Sequence, residues 1–190
     1  MSLLLQGEII SAMRRCNYAE KLLVTPLLSE AQIQPAGILV RLGSTLLVPR
    51  HRQLELQAIA GIPELEELEY DTLRLRPDSR FILRAGQFVL GCTFEYISIP
   101  LDLAGDVHAR SSVARFGLLI DSFRIAPGWK GVLTLALTNL GSRNLRLRAG
   151  MLVAQLSFQS VSSRPESFSS PYYRCPTEPL PISIGSLVEI

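Results

Sequence analysis

The sequence predicts a single, mainly β domain of the sandwich or barrel type, preceded by one short helix. From Tyr70 to Phe158, short β-prone runs recur roughly every 8–12 residues, the spacing of antiparallel strands joined by tight turns. Turn signals separate them at Arg76-Pro77-Asp78, Arg84-Ala85-Gly86, Pro100-Leu101-Asp102, Pro127-Gly128, Gly141-Ser142 and Ala149-Gly150. The chain has 190 residues, enough for one domain with a real core and too few for two comfortable ones. Its hydrophobic fraction is 47%, yet no apolar run approaches the roughly 18 residues of a membrane span. The expectation is a soluble unit with no membrane partner.

The elements follow in chain order. Ile9, Ile10 and Met13 fall at helical spacing within residues 6–15, which predicts a short amphipathic helix capping one end of the domain. Gly37 to Gly43 and Thr45 to Pro49 are β-prone runs separated by a Gly-Ser turn. Residues 52–68 satisfy neither period and read as irregular. Ser111 or Ser112 can start a one-turn helix that Gly117 closes. Residues 159–181 are rich in Ser, Pro and Tyr without a period and read as a loop or arm, with a strand expected at 182–190. The division is therefore one domain over 1–190: helix and lead-in at 1–30, β core at 31–158, tail at 159–190.

Charge and cysteine content exclude several classes. A net charge of +2 is too small to draw in nucleic acid by bulk electrostatics, although Lys21 and Lys130 are the only lysines and the other basic residues are arginines. Arginine favours fixed, bidentate contacts to phosphate or carboxylate. Cys16, Cys92 and Cys175 lie far apart, which suits neither a disulfide framework nor a CxxC metal site. They read as buried or idle thiols, and no metal is expected. The N-terminal residues carry no basic region before their leucines and no small-residue cleavage pattern, so a cytoplasmic location is expected.

The stretch that carries chemistry is 104–158. Arg110-Ser111-Ser112-x-x-Arg115 gathers two guanidinium groups, two hydroxyls and the N–H groups of a helix start within one turn. All are donors aimed at roughly one place, as a polyphosphate requires. Alone, this pattern also describes an ordinary N-cap with surface arginines. Its neighbours give it weight: Arg110 to Gly117 is followed by Ile125-Ala126-Pro127-Gly128-Trp129-Lys130-Gly131, then Leu135-Ala136-Leu137-Thr138-Asn139, then Ala149-Gly150-Met151-Leu152-Val153-Ala154-Gln155-Leu156. Upstream stand Ala31-Gln32-Ile33-Gln34-Pro35-Ala36, Val40-Arg41-Leu42-Gly43, and a segment with Leu90, Gly91, Cys92, Thr93, Glu95, Ile97 and Pro100.

In this order the motifs resemble those of the dCTP deaminase and dUTPase family, in its dCTP deaminase-like branch, over roughly residues 30–160. The resemblance implies a distorted jelly-roll, dUTPase-like β domain assembled as a homotrimer, with nucleotide sites at subunit interfaces. It implies that Arg110, Ser111 and Ser112 hold phosphates, that Arg115 supports the catalytic acid and a neighbouring chain, and that Gln155 reaches nucleotide across the interface. It implies no zinc and no resident cofactor; Mg2+ would enter only with a bound deoxynucleoside triphosphate. Water is activated in that family by a glutamate that accepts its proton and returns it to the pyrimidine, work a carboxylate can do if its pKa is lifted toward neutrality.

This chain departs from the pattern where the chemistry lies. The glutamate position is Ala136 and the aspartate of the Pro-Gly-Trp motif is Ala126. Loss of a positioned general acid/base costs about 10²–10⁴ in rate. The segment from Gly117 to Ile125 is shorter than in the deaminases, Leu39 stands where the upstream motif usually has Asp, and the tail offers only Tyr172-Tyr173-Arg174 in place of a closing Lys-Tyr-x-x-Gln pattern. Asp121, Glu95 and Asp106 are nearby carboxylates that read as solvated or turn residues, and His51 and His108, the only histidines, read as structural or interface residues.

Two enzyme classes are set aside. No H-x-E followed by P-C-x-x-C exists for a zinc deaminase, and Ser111 and Ser112 lack a nucleophile elbow. Three readings remain, and the activity is left open between them. The residues fit best a catalytically degenerate member that binds a deoxynucleoside triphosphate through its retained phosphate motif. The others are an active dCTP deaminase or dUTPase using a non-standard acid, and a structural or interaction protein with a closed pocket.

Overall fold

The computed structural model describes residues 2–50, 70–121, 123–163 and 165. The irregular stretch at 52–68, His51, Cys175, Tyr172-Tyr173-Arg174 and the strand expected at 182–190 lie outside the described residues.

Helix α1 (Gln6–Met13) opens the chain. It is followed by β1 (Leu23–Thr25), β2 (Ile33–Gln34), β3 (Gly37–Arg41), β4 (Thr45–Pro49), β5 (Tyr70–Arg74), β6 (Phe81–Leu83), β7 (Phe88–Cys92), β8 (Tyr96–Ser98) and β9 (Leu103–Ala109). The one-turn helix α2 (Ser111–Ala114) then leads to β10 (Leu118–Ile120), β11 (Arg124–Ile125), β12 (Lys130–Gly131), β13 (Thr134–Asn139), β14 (Leu145–Leu147) and β15 (Leu152–Ser160). The mainly β reading stands, and its turns fall where the Pro and Gly signals placed them.

Two five-stranded antiparallel sheets form a distorted jelly roll. One has the order β10-β13-β7-β4-β5 and the other β11-β9-β15-β3-β2; smaller sheets β1-β8-β12 and β14-β6 close the sides. Period-2 alternation explains the layering: on β13, Leu135, Leu137 and Asn139 point inward while Thr134, Ala136 and Thr138 alternate outward. Ile38, Val40, Val107, Leu156 and Phe158 from one sheet share a buried cluster with Leu46, Val89, Leu135 and Leu137 from the other. α1 adds Ile9 and Ala12 to that cluster, and Leu4 N–H donates to the Phe158 carbonyl at 2.8 Å. The lead-in also belongs to the core, since Leu22 and Val24 are buried and β1 pairs with β8.

Buried polar groups fix how the upstream motif meets the middle strands. Glu95 is fully buried. Its carboxylate accepts from the Arg41 backbone N–H at 2.8 Å, the Gln32 amide at 3.0 Å and the Arg41 guanidinium at 3.3 Å. Gln32 is saturated as well, donating to the Leu39 carbonyl at 3.0 Å and accepting from Leu28 and Ser29 N–H. A buried carboxylate persists only when paired and hydrogen-bonded in this way. The expectation of Glu95 as a solvated or turn residue is therefore corrected: it sits at a bend but is sealed from water, as a structural cross-link between β3 and the β7–β8 connection.

A second lock places α2. Gly117 closes the helix with φ +89, and a Cβ there would stand 2.6 Å from the Gly141 nitrogen. Gly141 N–H is held by the Asn139 side-chain oxygen at 3.0 Å, while the Asn139 amide donates to the Leu83 and Arg143 carbonyls. Leu140 N–H reaches the Gly117 carbonyl at 2.8 Å. The Asn at the end of the Leu135–Asn139 motif thus holds the backbone against which α2 ends.

Two stability predictions follow from these locks. Glu95→Ala leaves the Arg41 N–H and the Gln32 amide without their acceptor and should lower unfolding free energy by about 3 kcal/mol or more, read from denaturant midpoints; an unchanged midpoint would show the network to be dispensable. Gly117→Ala should cost at least about 1–2 kcal/mol through its left-handed φ alone, with the Gly141 contact adding to it, and a melting temperature equal to wild type would contradict the close approach.

Candidate nucleotide site

The Arg110-Ser111-Ser112-x-x-Arg115 motif is assembled at one end of β9. Arg110 is the N-cap of α2 in extended backbone conformation, anchored by its N–H to the Val153 carbonyl at 2.8 Å, and its own carbonyl takes the Val113 and Ala114 N–H groups at 2.9 and 3.0 Å. That arrangement leaves the Ser111 and Ser112 N–H groups and both hydroxyls without a hydrogen bond among the described residues. Ser111, Ser112 and Arg115 are exposed and Arg110 is half-buried. Arginine guanidinium and hydroxyl donors so placed can form charge-assisted bonds to an anion in solvent reach.

Gln155 belongs to the same end of the sheet. Pairing of β15 with β9 sets Ala154 opposite Ala109 and Gln155 opposite His108, so Gln155 sits one strand over and two residues along from Arg110. Its side chain lies over Gly37, where a Cβ would come within 2.9 Å of its amide nitrogen. His108 shares this sheet face, with Nε2 3.2 Å from the Ser157 hydroxyl. Asp106 is engaged too, accepting from Arg124 at 3.0 Å and from Gln159 at 2.8 Å.

The two alanines lie elsewhere. Arg124 and Ile125 of β11 pair with Asp106 and Gly105, so Ala126 falls beside Ala104, six residues from Arg110. At about 3.3 Å per residue that is roughly 20 Å away. Ala126 opens the turn that Gly128 completes with φ +84, pinned by Trp129, which is buried at 4% exposure. Ala136 lies on the other large sheet. β10 pairs Leu118 with Asn139 and Ile120 with Leu137, and Asp121 N–H continues the ladder to the Ala136 carbonyl at 3.1 Å. Ala136 is therefore three strand steps, about 10 Å, beyond the start of β10. A single chain brings together Arg110, Ser111, Ser112 and Arg115; the Gln155 side chain leans over Gly37 on the β3 side of β15, away from β9, and Ala126 is not brought to them.

The register places Asp121 directly across from Ala136, with both side chains on the outer sheet face. The sequence reading named Asp121 without that pairing. Counting the register from Leu118 and Asn139 finds it, but only with the β10–β13 partnership known. Among the described residues no three His, Cys, Asp or Glu side chains stand close enough to hold a metal ion, and no helix is long and apolar enough to cross a membrane.

Comparison with known proteins places this geometry. Residues 5–161 match the family described as dCTP deaminase-like. The chain is 37% identical over 139 residues to the dCTP deaminase, dUMP-forming, of Kocuria rhizophila, covering 72% of this chain and 70% of that one. It is 36% identical over 140 residues to the dCTP deaminase of Natronomonas pharaonis, covering 72% and 71%. The fold superimposes on the crystal structure of 2'-deoxycytidine 5'-triphosphate deaminase from Agrobacterium tumefaciens with a TM-score of 0.61 at 20% identity, covering 82% of this chain and 47% of that longer one. On the family match and these identities, the chain belongs to the dCTP deaminase-like family.

Proposed function

We propose that this protein binds a deoxynucleoside triphosphate, brought in as its Mg2+ complex, through Arg110, Ser111, Ser112, Arg115 and Gln155, and does not carry out the deamination named for its relatives. The observation that carries the reading is Ala136. It occupies an outward, half-buried position of β13 where the family pattern calls for the proton-moving glutamate, and a methyl group can neither accept a proton from water nor return one. Ala126 removes a second carboxylate in the same way. The donors for phosphate, by contrast, are all present and accessible. A protein of this kind reports on or stores a nucleotide without consuming it.

The same reading includes assembly of three copies, in the cytoplasm, where deoxynucleoside triphosphates are made and used. The separation of about 20 Å between Arg110 and Ala126 within one chain supports assembly, because a pocket lined by both ends of β9 needs a second copy. Light scattering should give the mass of three chains, and a monomer at working concentration would remove this part of the proposal.

Incubation with dCTP or dUTP should release neither ammonia nor pyrophosphate, while calorimetric titration with dCTP, dUTP and dTTP should detect binding of at least one. Arg110→Ala should weaken that binding about tenfold or more, the loss of one charge-assisted contact. Turnover that persists through further purification would overturn the non-catalytic reading, and absence of binding would favour a closed-pocket structural protein.

Asp121 supports one second reading, an active enzyme using a relocated acid. Residues directly opposite on antiparallel strands hold their Cβ atoms about 5 Å apart, so the Asp121 carboxylate reaches the space beside Ala136. If turnover is measured, Asp121→Asn should reduce it by about 10²–10⁴ without changing triphosphate affinity; turnover indifferent to Asp121→Asn would eliminate this acid.

A further inference from the structure

The small sheet of β6 and β14 carries a second basic constellation outside the α2 motif. The pairing sets Leu145 opposite Leu83, Arg146 opposite Ile82 and Leu147 opposite Phe81. Leu83 and Leu147 are buried while Ile82 and Arg146 are exposed, so alternation puts Arg146 on the outer face and carries Arg148 and Arg80 onto that face at the next step. Arg80 precedes Phe81 and Arg148 follows Leu147, so the two flank the last pair of the ladder. Arg80, Arg146, Arg148 and Met151 line one cavity of about 220 Å³.

None of these three arginines has a carboxylate partner among the described residues. The chain's net charge is only +2, so this concentration of guanidinium groups is local. Three planar forks around one concavity suit an anion with several oxygens spread over more than one centre. The volume is below the roughly 300–1,000 Å³ of pockets for drug-sized ligands, which fits a phosphate chain better than a whole nucleotide. Half-buried Met151 gives one wall an apolar surface against which a charged contact is less exposed to water.

We infer that this face is a separate anion site for small molecules carrying two or more phosphate groups. The cavity is lined by none of the α2 residues. It is nevertheless tied to them through the start of β15: the Met151 carbonyl accepts the Leu42 N–H at 2.9 Å, and two residues on, the Val153 carbonyl holds the Arg110 N–H at 2.8 Å. The site is independent of the proposed nucleotide binding and stands or falls separately from it.

Calorimetry with inorganic tripolyphosphate at physiological salt tests the assignment on the wild type, Arg110→Ala, Arg146→Ala and Arg148→Ala, with circular dichroism verifying that each variant is folded. Binding should survive in Arg110→Ala, and each of the other two substitutions should weaken the surviving event about tenfold or more. Arg148→Lys, which keeps the charge but not the fork, should weaken it as well. Loss of all tripolyphosphate binding in Arg110→Ala would overturn the second site, as would unchanged binding in both alanine variants. Equal affinity for citrate would overturn the phosphate class, and binding of a short oligonucleotide without tripolyphosphate binding would overturn the small-molecule class.

Discussion

The pairing of β9 with β15 is the constraint on which the arrangement of this protein depends. Seven residue pairs, from Ala154 opposite Ala109 to Ser160 opposite Leu103, make a central ladder that cannot slip without turning Val107, Leu156 and Phe158 out of the core. The ladder carries Arg110 at one end, brings Gln155 alongside it, and receives β11 near the other end. Arg110 and Ala126 are therefore held apart within one chain by a span of sheet.

Several residues that make the sequence recognisable are engaged in holding this scaffold. The Arg41 guanidinium neutralises Glu95 inside the domain, and the Gln32 amide and the Arg41 N–H complete its hydrogen bonds. Asn139 places Gly141, which places Gly117, which ends α2. Trp129 and Gly128 fold the turn around Ala126, and the Ile99 backbone bonds both. The side chains of Ala126 and Ala136 take part in none of these locks. A chain can thus keep the fold and the phosphate-facing turn while the acid positions change, since folding and proton transfer depend on different side chains.

Much of this was legible in the sequence because it rests on local rules. The Pro-Gly and Ala-Gly turns, the helix from Gln6 and the close of α2 at Gly117 follow from period and the conformational freedom of glycine, whereas the serine cap expected for α2 is not made: its N-cap is Arg110 and no side chain caps it. The helix ends at Met13 and not Arg15 because the Leu22 N–H caps the Ala12 carbonyl, a contact that local pattern does not encode. Glu95 reads as a surface acid in sequence, since its burial depends on Gln32 arriving from 63 residues away. The opposition of Asp121 and Ala136 was hidden for the same reason: it is a statement of register between strands. The arginines of β6 and β14 come from runs separated by most of the domain, and only strand pairing gathers them.

The central claim is that the phosphate-binding half of the site is kept while the proton-moving half is gone. A crystal structure of the protein soaked with dCTP tests it most directly. The account predicts an intact triphosphate on Ser111 and Ser112, contacted by Arg110, with the cytosine amine still present and no carboxylate within hydrogen-bonding distance of that amine or of a water beside C4. Density for a uracil nucleotide, for a nucleotide cleaved between its phosphates, or for a pocket that excludes phosphate from α2 would contradict it.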